Sequence, residues 1–372
     1  MARKGAEVTL YLRRGEGRMN EWARSLGILG VEGLRLAPFR WSREARWPIA
    51  CRLAARTLVA RASRGGGGRL PAVYIRQIEL YSLHVARLAR RLSLPLIYEA
   101  HNLKSLLVEE SEGPLAAEPW AEMERAIFGS ASGVVFTHPL TERFARERLA
   151  FHGPSIVARN AAPLVRAAGG VAPGGDRTAR PPAPGPGGPI DILYVGQLYR
   201  WKGIDLLLAS LSHLAGRRLV VAGGAAASDL DRSRQLARDL GVADRVEFLG
   251  QVPPDSVPDL MARARVGVVP LTGEGSIEAS HFTAPLKLFE FWAAGVPVVA
   301  SDLPSLRCLV RDGQNALLAP PRPREIAGAI ARLLDDADLS GRIARAGQEE
   351  ARSYTWEDRA SAILDFIGRI AP

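Results

Sequence analysis

Residues 190–215 read IDILYVGQLYRWKGIDLLLASLSHLA, and this stretch decides the fold class. A continuous apolar run at Ile190–Val195 ends in Gly196, a polar loop follows, and a helical pattern begins at Ile204. Continuous apolar strands that alternate with helices are typical of parallel sheets covered on both faces. The segment therefore predicts one β–α unit of a doubly wound α/β domain.

The same alternation extends to both sides of a Gly/Pro-rich break at residues 166–189, which indicates an interdomain linker. We predict two doubly wound, Rossmann-like domains, at 1–165 and 190–352, facing each other across a cleft. A terminal helix at 353–372 could cross back to the first domain. The predicted strands are Val8–Leu12, Val73–Arg76, Leu96–Glu99, Val134–Thr137, Ser155–Ala158, Ile190–Val195, Leu219–Ala222, Val246–Leu249, Val266–Pro270 and Val298–Ser301.

Composition narrows the class of protein. The 372 residues, 47% hydrophobic and 24% charged, are those of a globular protein with about two domains. No apolar run approaches the ~20 residues of a membrane-spanning helix, so we predict a cytoplasmic protein. Cys51 and Cys308 lie far apart in the sequence, which excludes a disulfide scaffold and a structural zinc site.

The net charge of +10 is concentrated in the first half, where residues 1–165 hold 25 Lys and Arg against 15 acids. Six arginines and one glutamate lie in the segment Arg43–Arg64, among apolar side chains. Such a segment suits the anionic inner face of a membrane, or a packed helix with a solvated basic rim. We predict no specific nucleic-acid binding, because charge is the only feature in its favour.

The loop after Val195 carries the first candidate site. Arg200 and Lys202 lie just before Gly203 and the helix that follows, so two cations adjoin free backbone N–H groups. This set suits a diphosphate, although two solvated cations on a surface turn would have the same spacing. The chain has only four lysines, which favours the functional interpretation. No P-loop or GxGxxG motif follows a strand, so the sequence lacks the fingerprints of P-loop and dinucleotide-binding proteins.

The second candidate site lies in Thr283–Ser301, TAPLKLFEFWAAGVPVVAS. Pro285 suits the first turn of a helix that ends near Gly295. Lys287 and Glu290 are three residues apart and share one face of that helix. Together with the helix N-terminus they could bind phosphate and sugar hydroxyls, or they could form only a local ion pair.

The segments GQLYRWKG (196–203) and APLKLFEFWAAGVPVVAS (284–301) together resemble the donor-binding domain of family 4 retaining glycosyltransferases, which have the GT-B fold. Tyr98-Glu-Ala-His-Asn102 resembles the strand-end histidine segment of the same family. The resemblance implies a nucleotide-sugar donor held at the residues Gly196, Arg200, Lys202, Gly203, Lys287 and Glu290. It also implies that Arg200 and Lys202 neutralise the diphosphate, that Glu290 holds the ribose and that His101 contacts the transferred sugar.

Two positions depart from the family pattern. Phe282 stands where the first glutamate of the Glu-x7-Glu signature would fall, as in a subgroup with a PLKLFE-type helix, and Gln197 replaces a common arginine. Lys287 lies near the phosphate or sugar in this interpretation, and His281 is a weaker candidate. The alternatives to an active transferase are a catalytically weak GT-B scaffold subunit and a GT-B sugar-nucleotide epimerase.

We predict no cofactor and no metal, because cations and a helix N-terminus replace the divalent ion. Two Asp-x-Asp sequences are interpreted structurally: Asp229 as a helix cap and Asp336 as part of a helix–helix junction. The predicted activity is retaining transfer of a sugar from a nucleotide-sugar to a cell-envelope polysaccharide or lipid-linked glycan. Such an enzyme would be cytoplasmic, and it could lie on the inner face of the membrane.

The first domain has an irregular start. A doubly wound domain normally opens with a strand and a Gly-containing turn, yet Val8–Leu12 follows the N-terminus almost at once. We therefore interpret Val8–Leu12 as the family's second strand and expect an upstream β–Gly–α unit. An empty interior strand position would expose two sheet edges.

Overall fold

A computed structural model describes residues 8–13, 34–39, 72–76, 82–161, 188–224, 226–273 and 275–370. The chain divides into an N-terminal unit, Met1–Ala158 with Glu357–Pro372, and a C-terminal unit, Arg159–Trp356. The basic segment Arg43–Arg64 and most of the predicted linker lie outside the described residues.

The N-terminal unit contains a four-stranded parallel sheet in the order β3-β4-β5-β6. Its strands are β3 Val73–Arg76, β4 Leu96–Ala100, β5 Gly133–Phe136 and β6 Ser155–Val157. Its helices are α1 Ser82–Arg91, α2 Lys104–Glu112, α3 Pro114–Ser130 and α4 Pro139–Leu149, joined by the terminal helix α12 Trp356–Ile370. β4 and β5 are buried along their whole length, as continuous apolar parallel strands require.

Two further strands pair separately from this sheet. β1 Val8–Arg13 and β2 Leu34–Phe39 are parallel, with Val8 opposite Leu34. β1 matches the predicted strand Val8–Leu12, whereas β2 was not predicted because Arg35 and Pro38 interrupt its apolar pattern.

The terminal helix α12 packs on the sheet of the N-terminal unit. Its apolar residues recur at helical spacing, and Ile363 and Phe366 are buried in one cluster with Ile97. A Cβ at Gly133 would lie 2.3 Å from Ile370 Cδ1 and 2.7 Å from Phe366 Cζ, so a larger residue here would require both side chains to move. The last helix of the chain is therefore part of the N-terminal core.

The start of α2 is stabilised by a side chain from α3. The carboxylate of Glu124 accepts hydrogen bonds from the backbone N–H of Lys104 at 2.5 Å and of Ser105 at 3.3 Å. It thereby satisfies donors that the first turn of a helix leaves free, where Leu103 supplies no side-chain cap. Burial raises the pKa of the Glu124 carboxyl. The contacts with the start of α2 give Glu124 a structural role.

The C-terminal unit is a six-stranded parallel sheet in the order β12-β11-β10-β7-β8-β9. Its strands are β7 Ile190–Val195, β8 Leu219–Ala222, β9 Val246–Gly250, β10 Ala264–Val269, β11 Val298–Ser301 and β12 Leu317–Ala319. Its helices are α5 Ile204–Leu211, α6 Ala227–Asp239, α7 Val257–Arg263, α8 Leu286–Ala293, α9 Pro304–Arg307, α10 Pro323–Asp335 and α11 Ala337–Ala351. Separate apolar clusters cover the sheet; one contains Phe289 and Trp292, the other Leu207 and Ile330.

The strand order defines a topological switch point between β7 and β10. From β7 the chain moves outward through β8 to β9, and from β10 it moves the opposite way through β11 to β12. Ligands of open α/β sheets bind outside the carboxyl ends of the strands at such a point. The loops that follow β7 and β10 are therefore expected to form a ligand site.

Candidate functional site

The loop Gly196–Gly203, which follows β7, contains the predicted cations. Arg200–Lys202 form a 3-10 turn, and Gly203 donates its N–H to the Arg200 carbonyl at 2.9 Å. Gly203 has φ +79, in the left-handed region that favours glycine, and α5 begins at the next residue. The turn thus places both cations beside the N-terminus of an eight-residue helix.

The loops after β7 and β10 touch each other. Thr272 donates its N–H to the Trp201 carbonyl at 3.0 Å. A Cβ on Gly203 would lie 1.6 Å from the Pro270 carbonyl oxygen. Gly203 is therefore required for a close approach of two backbones at the switch point.

Lys202 is the more enclosed of the two cations. Its ammonium lies 3.8 Å from the centre of the Trp201 ring, a cation–π contact. Burial lowers the pKa of Lys202 to about 8, and the charge of Glu278 opposes this shift. Arg200 is exposed. Burial disfavours the charged form of Lys202, and an anion bound beside it would favour that form again.

Close packing also fixes the first half of the loop. Gly196 donates its N–H to the Ala222 carbonyl at 2.9 Å, and the buried Tyr194 hydroxyl donates to the Gln197 carbonyl at 2.6 Å. A Cβ on Gly223 would lie 1.8 Å from the Gly196 carbonyl oxygen. The backbone of the loop is thus held before any ligand arrives.

Arg232, on α6, is a functional candidate that the sequence analysis missed. Its guanidinium donates to the Leu198 carbonyl at 2.7 Å and to the Asp205 carboxylate at 2.5 Å. It joins the middle of the Gly196–Gly203 loop to the first turn of α5. An arginine in an amphipathic helix carries no sequence signal for this role, because the contact depends on how α6 packs.

In α8, Lys287 and Glu290 form a direct ion pair, and their side chains are 31% and 17% exposed. The local pair considered from the sequence is therefore present. The helix begins at Leu286, with Pro285 at its N-cap, and the side-chain amide of Asn160 donates to the Ala284 carbonyl at 3.0 Å. Lys287 and Glu290 stay candidate donor residues.

The departure at Phe282 has a packing explanation. Phe282 is 3% exposed, at the end of a short π-helix, Glu278–Phe282, that precedes α8. An apolar side chain therefore fills the core where the family signature has a glutamate. His281 lies next to it with its Nδ1 2.7 Å from the Ser280 hydroxyl.

His101 belongs to the N-terminal unit and follows the carboxyl end of β4. Its Nε2 lies 2.7 Å from Glu99 Oε1, and Glu99 is 3% exposed. Arg359, from α12, reaches the same carboxylate at 3.0 Å. Glu99 and Arg359 were not predicted as site residues; the available signal was an ionisable residue inside a strand whose every residue is buried.

The predicted site residues fall into two groups. The Gly196–Gly203 loop and α8 lie in the C-terminal unit, where β7 and β10 are neighbours and the chain between β10 and β11 supplies α8. Both predicted donor segments thus attach to the carboxyl edge of one sheet. His101 lies in the other unit, with Glu99 as its partner.

The Asp-x-Asp sequences have structural positions. Asp336 caps α11 by accepting the Leu339 N–H at 2.8 Å, at the predicted junction between helices. Asp229 is not the predicted cap, because α6 begins earlier, with Ala226 at the N-cap. Among the described residues, no three His, Cys, Asp or Glu side chains group as metal ligands. Within the same residues, no helix is both long and apolar enough to span a bilayer.

The comparisons with known proteins agree with this architecture. Residues 189–336 match the family model described as glycosyl transferases group 1. The D-inositol 3-phosphate glycosyltransferase of Acidothermus cellulolyticus is 31% identical over 301 residues, covering 75% of this chain. The chain spans 63% of that relative's length. The protein of the same name from Rhodococcus erythropolis is 27% identical over 391 aligned positions, which cover all of this chain and 84% of that protein.

A solved structure extends the likeness to the fold of both units. The crystal structure of Anabaena HepE in complex with UDP and glucose matches with a TM-score of 0.70, covering 97% of this chain and 91% of that one at 17% identity. Residues 189–336 are therefore similar to the glycosyl transferases group 1 family, and the chain has the GT-B fold of two parallel-sheet α/β domains.

Proposed function

We propose that this protein is a glycosyltransferase that takes a sugar from a nucleoside diphosphate sugar and transfers it, with retention, to an acceptor hydroxyl. The observation that carries the proposal is the contact between the loops after β7 and β10, with Lys202 and the N-terminus of α5 at the switch point. The group 1 family match and the UDP complex of HepE support a nucleotide-sugar as donor.

In this proposal the chain stabilises a leaving group. When the bond between the anomeric carbon and the diphosphate breaks, negative charge grows on the β-phosphate oxygens. Lys202, Arg200 and the N–H groups at the start of α5 meet that charge. Glu290 binds the ribose hydroxyls, Lys287 lies near the phosphate or sugar, and His101 contacts the transferred sugar.

For the acceptor we propose a cell-envelope polysaccharide or a lipid-linked glycan. The relatives named D-inositol 3-phosphate glycosyltransferase make a small polyol phosphate the first alternative to test. A cytoplasmic enzyme on the inner face of the membrane would have access to both classes of acceptor. The basic segment Arg43–Arg64 would supply the attraction to anionic lipid.

A thermal-shift screen tests the donor. UDP, GDP, ADP and their sugars are added in turn, and a ligand at 100 times its Kd should stabilise the protein by about 2.7 kcal/mol. One base should stabilise far more than the others. The preferred nucleotide-sugar, with radioactive sugar, is then incubated with a lipid-linked glycan and with D-inositol 3-phosphate. Stabilisation without transfer to either would favour the scaffold alternative, and a changed donor sugar without acceptor would favour an epimerase.

The proposal includes independence from divalent metal. The cations Arg200 and Lys202 perform the charge neutralisation that a metal performs in other transferases. Transfer should persist in excess EDTA at the rate measured in magnesium. Loss of transfer in EDTA, with recovery in manganese or magnesium, would overturn this part of the proposal.

A further inference from the structure

The carboxylate of Glu99 is buried at the end of β4 and has four partners among the residues that the structure describes. Its Oε1 lies 2.7 Å from His101 Nε2 and 3.2 Å from Arg76 Nε. Its Oε2 lies 3.0 Å from Arg359 Nη2 and accepts a hydrogen bond from the Tyr74 hydroxyl. An ionised group buried to 3% exposure needs such compensation, so the four partners explain how the carboxylate can stay charged.

The contacts of His101 decide where its proton lies. Its Nε2 is 2.8 Å from Arg76 Nε, which can only donate, and 2.7 Å from Glu99 Oε1. One ring nitrogen cannot accept from the arginine and donate to the carboxylate at once. Burial alone would raise the pKa of Glu99, but the hydrogen bonds from His101 and Tyr74 and the charge of Arg359 lower it to about 2. The ionised carboxylate can only accept, so Nε2 carries the proton.

Arg76, whose Nε–H points to His101 Nε2 in the structure, must then turn to the carboxylate, which lies 3.2 Å from its Nε. Its side chain is 65% exposed, so it can reorient at little cost, whereas Glu99 is fixed by its other partners. A neutral His101 in this state has its lone pair on Nδ1. Within the part of the chain that the structure describes, no contact is recorded for Nδ1.

We propose that Glu99 is a positioning residue for His101: it holds the Nε2–H, fixes the ring, and leaves Nδ1 as the nitrogen that meets the transferred sugar. Arg359 of α12 supplies the counter-charge that lets the carboxylate be buried. The inference rests on the proposed function, because a sugar hydroxyl is the group that Nδ1 would accept from or, when protonated, donate to.

The alternative is that Glu99 has a purely structural role. In that case Glu99 and Arg359 form a buried ion pair that attaches α12 to the sheet, and the imidazole is an incidental neighbour. Buried ion pairs of this kind are common without any catalytic role. The two accounts differ in the tautomer of His101 and in whether Glu99 acts through it.

The tautomer can be measured without any substrate. Long-range ¹H–¹⁵N spectra of the full chain with ¹⁵N-labelled histidine are recorded at a pH where imidazole is neutral, and His101→Asn identifies the signals. His138 serves as an internal reference, because its Nδ1 accepts the Leu140 N–H at 3.2 Å. We expect the Nε2–H form in the wild type and in Arg76→Ala. A wild-type Nδ1–H form, or a switch of tautomer in Arg76→Ala, would overturn the proposal.

Kinetics then test whether Glu99 acts through His101. Glu99→Gln, His101→Ala and the double variant are compared for kcat, for KM of the donor and for the Kd of the nucleotide alone. We expect kcat to fall roughly tenfold or more in each single variant, with little further loss in the double variant and unchanged nucleotide Kd. Multiplicative losses would show that Glu99 acts independently, which contradicts the proposal.

The outcomes separate this inference from the proposed function. Suppose that a folded His101→Ala variant is fully active and that wild-type His101 has the Nε2–H form. The proposed contact of His101 with the sugar would then be wrong, whereas the hydrogen bond between Glu99 and His101 would be confirmed. Where Glu99→Gln does not fold, the wild-type tautomer and Arg76→Ala still decide, because neither requires that variant.

Discussion

Gly203 lies so close to Pro270 that a Cβ at residue 203 would fall 1.6 Å from the proline's carbonyl oxygen. The contact joins the loop after β7 to the loop after β10, on the two sides of the switch point. Because one partner is backbone, the clash cannot be relieved by a side-chain rotation. The approach of these loops therefore depends on a single glycine.

Gly203→Ala should move the loop and weaken nucleotide binding by roughly tenfold or more, which corresponds to about 1.4 kcal/mol. Gly216→Ala is a matched control, because Gly216 has φ +69 but nothing within 4 Å of its Cβ position. The control should lose about 1–2 kcal/mol of stability from the left-handed backbone alone. Calorimetry with UDP, or with the nucleotide the screen selects, checks the difference. Equal affinity in the two variants would contradict the assignment of the loop.

Nucleotide affinity should fall as the pH rises through about 8, the pKa to which burial lowers Lys202. The protonated lysine attracts the diphosphate, so binding above this pH requires uptake of a proton. The nucleotide therefore binds more tightly at a pH below the pKa of Lys202. Lys202→Arg should flatten the profile, because a guanidinium stays charged over this range. The measurement is the nucleotide Kd of the wild type and of Lys202→Arg at several pH values around 8. The same pH profile in both proteins would contradict the role of Lys202.

Arg232→Met should weaken nucleotide binding by about threefold to tenfold, because Leu198 and Asp205 lose a charge-assisted partner that fixes the loop. Methionine keeps much of the aliphatic stem, so the packing loss is small. The control is Arg234→Met on the same helix, where Arg234 is 44% exposed and 3.7 Å from Asp231. The control should bind like the wild type, and an equal loss in both variants would argue against a specific effect of Arg232.

Acid should destabilise the N-terminal unit as Glu99 protonates. The pKa of Glu99 in the folded protein is about 2, below its ordinary value of 4.5, so its contribution is complete above pH 4.5 and is lost as the pH falls toward 2. At 1.36 kcal/mol per pH unit this is about 3 kcal/mol. Hydrogen exchange at the β4 amides, followed across this range, reports on that unit. Glu99→Gln should reduce the pH dependence by about this amount; an unchanged acid response in this variant would contradict the assignment.

Most of the fold could be predicted from apolar periodicity. β3, β7, β8 and β11 have the predicted bounds; β8 and β11 are buried at every residue, and such strands are continuous apolar runs. β12, Leu317–Ala319, was not predicted. α5 begins at Ile204, as predicted, and ends at Leu211, after which the chain makes turns at His213 and Leu214.

The candidate site could be predicted only in part. Lys202 and Glu290 could be chosen as candidates from the sequence, because a rare lysine and a recognisable helix lie at fixed positions. Arg232 and Arg359 were missed because their partners are distant in sequence and meet them only through packing. Residue type and spacing carry no information about such contacts, whereas the β–α alternation indicates a parallel, doubly wound sheet.

The central claim is that Lys202 at the switch point binds the diphosphate of the donor. Calorimetric titration of the wild type and of Lys202→Ala, each with UDP and with uridine, or with the corresponding pair for the selected base, tests it most directly. Loss of a charge-assisted contact predicts about tenfold to a hundredfold weaker diphosphate binding in the variant, with nucleoside affinity unchanged. Equal losses for the two ligands, or unchanged diphosphate affinity, would contradict the claim.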